Sequence, residues 1–152
     1  MASVKEFEDH FLMLCEAGFI AVNQYDEDAA TKLFAASALL KPESTLPKIG
    51  RGYMHMMKLE LKQACNLFDE VLVKEPDNEM AKSFLGLSYT LTATDVAKGE
   101  KMLEEMATKA EEPLVKQLAD SALEFVDKFV KKAPTPAEPQ KKANKKDKKK
   151  SE

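Results

Sequence analysis

The chain has no tryptophan, two cysteines, two histidines and five glycines among its 152 residues. Each shortage excludes something. Two cysteines cannot build a disulfide framework, and Cys15 and Cys65 read as free, inert apolar thiols in a reducing compartment. His10 and His55 stand apart, with no His–Cys or His–carboxylate spacing that would hold a metal. His55 reads as a packed or half-exposed helix residue, not a catalytic base. The glycines do not cluster into a phosphate-cradling loop. No run approaches the ~20 apolar residues of a membrane span. The opening stretch MASVKEFEDHF lacks a basic region followed by an apolar one, so no secretory signal is expected. No catalytic residues, no cofactor and no enzyme activity are expected.

What is present is 44% apolar and 32% charged residues, a globular balance, with a net charge of −3. That net value conceals an asymmetry. Residues 1–132 carry 16 basic against 23 acidic side chains, and residues 133–152 carry seven lysines against three acids. An acidic body argues against a specific nucleic-acid face. The last stretch, APTPAEPQKKANKKDKKKSE, has no large apolar residue and is expected to be disordered. It has no arginine or aromatic for stacking on bases, so it reads as a solubilising or weakly docking segment, able to contact its own acidic domain.

The chain repeats itself. Gly18, Gly52 and Gly86 are spaced by 34 residues. From Gly18, Ala30, Phe34 and Pro42 follow at offsets of 12, 16 and 24, and Ala64, Phe68 and Pro76 follow Gly52 at the same offsets. In the third copy Gly99, Leu103 and Met106 fall one place late, and Pro113 falls three places late. Apolar spacings of three and four predict two helices per unit. Gly within a helix costs ~1 kcal/mol relative to Ala. Its recurrence at one phase predicts a close contact between paired helices, with Ala30 and Ala64 as the small residues opposite. Residues 3–10 are expected to extend the first helix backwards. Residues 113–132 are expected to form a capping helix, with Pro113 in its first turn and Leu114, Leu118, Ala122, Phe125 and Phe129 on one face.

A 34-residue helix–turn–helix unit with Gly, Tyr, Ala, Phe and Pro at these offsets resembles the tetratricopeptide repeat (TPR). The match is specific in the first two units and degenerate in the third, and the family's tryptophan-like opening residue is absent from all three. The resemblance implies an all-α fold: three TPR-like repeats at about 11–44, 45–78 and 79–112 in a short right-handed solenoid. The helical domain is then 1–132, closed by the capping helix 113–132 and followed by a Lys-rich tail over 133–152.

In such repeats the first helices line a concave groove. That phase gives Leu12, Cys15, Phe19 and Val22 in the first unit. It gives Leu46, Ile49, Tyr53, Met56 and Met57 in the second, and Met80, Phe84, Leu87 and Leu91 in the third. Family members that clamp acidic C-terminal tails use Lys, Arg and Asn at places held here by Cys15, Phe19, Ile49, Tyr53, Ser83 and Leu87. No carboxylate clamp can form. An apolar groove instead suits an amphipathic helix, and Met adapts to varied apolar partners. The competing reading is that the stripe is ordinary core.

A small acidic array of three units with an apolar groove and one capping helix resembles the cytosolic chaperones of bacterial type III secretion. The layout is nearest the group that holds the needle subunit, with the translocator chaperones next. The resemblance implies a cytoplasmic protein that holds an amphipathic helix of a secreted protein, alongside a second small helical co-chaperone. No nucleic-acid specificity and no membrane insertion are implied. The alternative is a general TPR scaffold joining two folded proteins, with the basic tail as a second contact. A third reading is an RNA-associated adaptor.

Overall fold

The computed structural model describes residues 3–131, and the Lys-rich tail expected over 133–152 lies outside them. The described residues form helices joined by short links, without strands. A 3₁₀ stretch, Val4–His10, leads into α1 (Phe11–Asn23). There follow α2 (Glu27–Leu40), α3 (Leu46–Met57), α4 (Leu61–Lys74), α5 (Glu79–Thr90), α6 (Val96–Lys109) and α7 (Pro113–Phe125). Val126–Val130 continue α7 as a π-helical turn closed by Lys131 N–H donating to the Val126 carbonyl at 2.9 Å. Each of the three 34-residue units thus holds two helices, and neighbouring helices in the chain pack on one another. α3 also contacts α1 and α5, and α7 packs on α5 and α6.

Local chemistry sets the boundaries. Asp26 caps α2 through its side chain, accepting from Ala29 N–H at 3.0 Å, and Asn78 caps α5 in the same way, accepting from Ala81 N–H at 2.9 Å. Lys41 and Glu75, each before a proline, leave the helix at φ −135° and −130°, because a following proline disfavours helical backbone. Tyr25 and Leu59, 34 residues apart, both sit in the left-handed region at φ 60° and 59°. They close the three-residue links 24–26 and 58–60. The corresponding link of the third unit, 91–95, is longer and has no such residue. This is where the third copy slips. The buried residues of α6 are Gly99, Leu103 and Met106, in the spacing of Ala64, Phe68 and Val71 in α4.

The glycine contacts differ from expectation. Ala30 and Ala64 are fully buried, but the groups facing the glycines are rings. A Cβ on Gly18 would lie 2.5 Å from Phe34, and one on Gly52 2.6 Å from Phe68. Gly50 also faces Phe34, so that ring is held between two glycine surfaces on α1 and α3. In the third unit the helices meet backbone to backbone, where Gly99 faces the Gly86 carbonyl.

Two further expectations need correction. Residues 4–10 do run helical turns back from α1, but as 3₁₀ helix with no buried side chain. In α7 the packed face is Val115, Ala119, Ala122 and Val126. Leu114, Phe125 and Phe129 point to solvent, and only Leu118 and Ala122 of the expected face are turned inward. Alanines let α7 approach α6 closely, and the larger residues one step away are left outside.

Candidate binding groove

Side-chain directions on α3 place Leu46, Ile49 and Tyr53 along one face, and those on α5 place Met80, Phe84 and Leu87 along the matching face. The stripe expected from sequence is present as a row, but burial divides it. Cys15, Val22, Ile49, Met56 and Phe84 are buried, Phe84 at 9% exposure. These five are packed between helices and supply core, contrary to a groove lined by all thirteen. Phe19, Leu46, Tyr53, Leu87 and Leu91 are half-buried. Leu12, Met57 and Met80 are exposed. The physical reason is that every first helix has two neighbours. The phase that faces the groove also borders the next first helix, so alternate members of the stripe are consumed by packing.

An aromatic chain links the units. Phe34 meets Phe19 edge-on at 5.4 Å between ring centroids, Phe19 meets Tyr53 at 5.6 Å, Tyr53 meets Phe84 at 5.1 Å, and Phe84 meets Phe68 at 5.7 Å. Offset and edge-on pairs at such separations contribute about 0.5–1.5 kcal/mol each beyond burial. Tyr53 donates its hydroxyl to Asn23 Oδ1 at 2.7 Å. Burial is the main cause that raises the Tyr53 phenol above its usual pKa, so it stays neutral near pH 7. Phe19, Tyr53 and Leu87 present the half-covered edges of this chain.

Toward the start of α3 and α5 the row opens into a concavity of about 1040 Å³. Leu46, Ile49, Met80, Met106 and Val115 supply apolar lining. Carboxylates surround them: Glu75, Asp77, Glu79, Glu105, Glu111 and Glu112, with Lys82 and Lys109 as the cations. Two of the acids are structural. Glu75 accepts from Thr45 Oγ1 at 2.9 Å and from Asn78 Nδ2 at 2.8 Å. Glu79 accepts from the backbone N–H groups of Glu111 and Glu112 at 2.7 and 3.2 Å. Those bonds pull the Glu79 carboxyl below its usual range and fasten the start of α7 to α5. At the other end of the array, Val22 and Met57 line a separate hollow of about 90 Å³ beside Tyr25 and Met54. The stripe therefore serves two recesses, and its middle is an aromatic wall.

The remaining polar groups offer packing and ion pairs. His55 Nδ1 is 2.5 Å from Glu60 Oε2, in a cluster where Lys58 reaches Glu27 at 2.8 Å and Glu60 at 3.0 Å. Burial raises both thiols, Cys15 and Cys65, above their usual pKa, which lowers their nucleophilicity at neutral pH. Among the described residues no group of three or more His, Cys, Asp and Glu is arranged to hold a metal ion. None of their helices is long and apolar enough to cross a membrane.

Two features were missed in the sequence. Gly50 belongs to a short Gly-Arg-Gly run, and its role is steric room for Phe34; its spacing of 16 from that ring, against 16 between Gly18 and Phe34 on the other side, was the available signal. The acidic rim comes from three separate stretches, 75–79, 105 and 111–112, so only the fold assembles it. Comparison with protein-family models, with curated proteins and with solved structures gives no match.

Proposed function

We propose that this chain is a cytoplasmic chaperone of the type III secretion class. In this reading three TPR-like units form a short right-handed solenoid that holds an amphipathic helix of a secreted protein. The needle subunit is the first candidate and a translocator the second, and a small helical co-chaperone is a further partner. The observation that carries the reading is the half-exposed apolar row on successive first helices. Leu46 and Tyr53 on α3 and Met80 and Leu87 on α5 run from the aromatic wall into the large cleft. A helix laid there buries its own apolar face, which would otherwise drive self-assembly. The 34-residue pattern of Gly, Ala, Phe and Pro, with the resemblance it carries, supports the choice of class.

The alternative is a general interaction scaffold. One observation favours it: five of the thirteen stripe residues are already packed, which suits a protein stable without a partner. Co-purification from the native cell separates the two. The chaperone reading expects one small helical secreted protein at equal stoichiometry, retained in high salt and lost in Tyr53→Glu. A folded partner that leaves in high salt and ignores Tyr53→Glu would support the scaffold.

A further inference from the structure

The large cleft combines an apolar floor with an acidic rim, and the rim is not neutralised. Asp77 reaches Lys82 only at 4.0 Å. Glu105, Glu111 and Glu112 have no ion-pair partner among the described residues. Six carboxylates therefore share one recess with two cations, Lys82, at the limit of ion-pair reach of Asp77, and Lys109. Like charges gathered around one recess repel one another, and a cation placed among them relieves that repulsion.

We infer that the cleft takes the basic portion of an amphipathic helix: apolar side chains on Leu46 and Met80, and Lys or Arg side chains against Asp77, Glu105, Glu111 and Glu112. This rests on the helix-holding reading above and specifies the chemistry of the partner. The floor decides between possible occupants. The chain's own residues 133–152 carry seven lysines but no large apolar residue, so they match the rim and leave the floor unfilled. A second copy of this chain brings an acidic body, with 23 acids against 16 basic residues over 1–132, and meets repulsion at the rim. A basic amphipathic helix satisfies both surfaces. Its long cationic side chains also lay apolar stems along the walls while their heads reach the carboxylates.

The test uses the full chain and two labelled synthetic helical peptides of about eighteen residues. They share one Leu/Ala face and differ only in carrying Lys or Glu on the other. Fluorescence anisotropy is followed against salt. The Lys peptide is expected to bind roughly tenfold or more tightly than the Glu peptide, with affinity falling as salt rises. Glu105→Lys with Glu111→Lys should abolish that preference, and Glu8→Lys with Asp9→Lys, the same charge change on the exposed 3₁₀ segment, should keep it. Should the charge-reversed cleft fail to fold by circular dichroism, Asp77→Asn with Glu105→Gln replaces it. Equal binding of both peptides leaves the groove reading standing and overturns the acidic-rim inference. Binding of neither peptide removes the groove reading itself. Equal loss in the cleft and control variants shows net charge alone and overturns the inference. Binding that appears only after residues 133–152 are deleted makes the chain's own lysines the occupant, and overturns it too.

Discussion

The Cε1 atom of Phe68 lies 2.6 Å from the place a Cβ on Gly52 would take. The repeated glycine is thus the socket of the repeated phenylalanine, and the two positions are fixed by one contact. Gly52→Leu is expected to destabilise the fold, by about 1–3 kcal/mol for overpacking or more, because Phe68 is fully buried and cannot move aside. Lys62→Leu, at an exposed position on α4, is the control. Thermal melts of the two variants check it, and equal midpoints would remove the socket.

Leu59 is 69% exposed and holds φ at 59°. A left-handed backbone costs a non-glycine residue roughly 1–2 kcal/mol, and β-branching makes it worse. Leu59→Gly should therefore be as stable as the parent or more so, while Leu59→Val should be less stable by about 1 kcal/mol or more. Chemical denaturation of the pair measures the difference. The same ordering is expected at Tyr25, its counterpart in the first unit. If the Val and Gly variants at both sites unfold together, the strained turn is not a feature of the folded chain in solution.

Glu79 gives a pH prediction. Its carboxyl lies below the usual range because it accepts two backbone N–H groups at the start of α7. A depressed folded-state pKa means that its stabilising effect is complete above the unfolded value of about 4.3. The effect is lost as pH falls from there through the folded value. Glu79→Gln should thus lower the melting temperature near pH 7, and the gap to the parent should close below about pH 4. A constant gap from pH 7 to pH 3 would show that the carboxylate charge is not what holds α7.

Much of this architecture was legible in one sequence because the repeat spells it out. Gly, Ala, Phe and Pro recur at 34 residues since each unit solves the same packing problem. Even the one-residue slip at Gly99, Leu103 and Met106 was visible, and the longer 91–95 link accounts for it. The face that α7 packs differs from the sequence expectation for a physical reason. Leu114, Phe125 and Phe129 and the small Val115, Ala119, Ala122 and Val126 form two adjacent apolar stripes, and volume at the α6 contact selects the smaller one. The groove residues were the hardest to sort. Periodicity places Ile49 and Tyr53 on the same face, but only three-dimensional neighbours show that Ile49 is sealed while Tyr53 keeps an open edge. The acidic rim had no local signature, because Glu75, Glu105 and Glu111 come together only when α4, α6 and the α6–α7 link meet.

The last prediction separates wall from core. Met80 is exposed at the cleft and Tyr53 is half-buried in the aromatic row, while Phe68 and Phe84 are packed inside. A carboxylate at Met80 stays hydrated in the free protein, so Met80→Glu should melt like the parent. Tyr53→Glu gives up ring contacts with Phe19 and Phe84 and the bond to Asn23, and should lose about 1–2 kcal/mol while remaining folded. Phe68→Glu and Phe84→Glu force a charge into the interior, on top of the about 3–5 kcal/mol typical of losing a buried ring, and should unfold the array. Binding of an amphipathic helix should be lost in all four, but for different reasons. In Met80→Glu and Tyr53→Glu the protein is intact and the apolar surface offered to the helix is broken by a charge that binding would have to bury. Circular dichroism and peptide binding measured on the same samples test this directly. Intact binding by folded Met80→Glu and Tyr53→Glu would show that the half-covered row is not a docking surface, and the chaperone reading would then lose the observation that carries it.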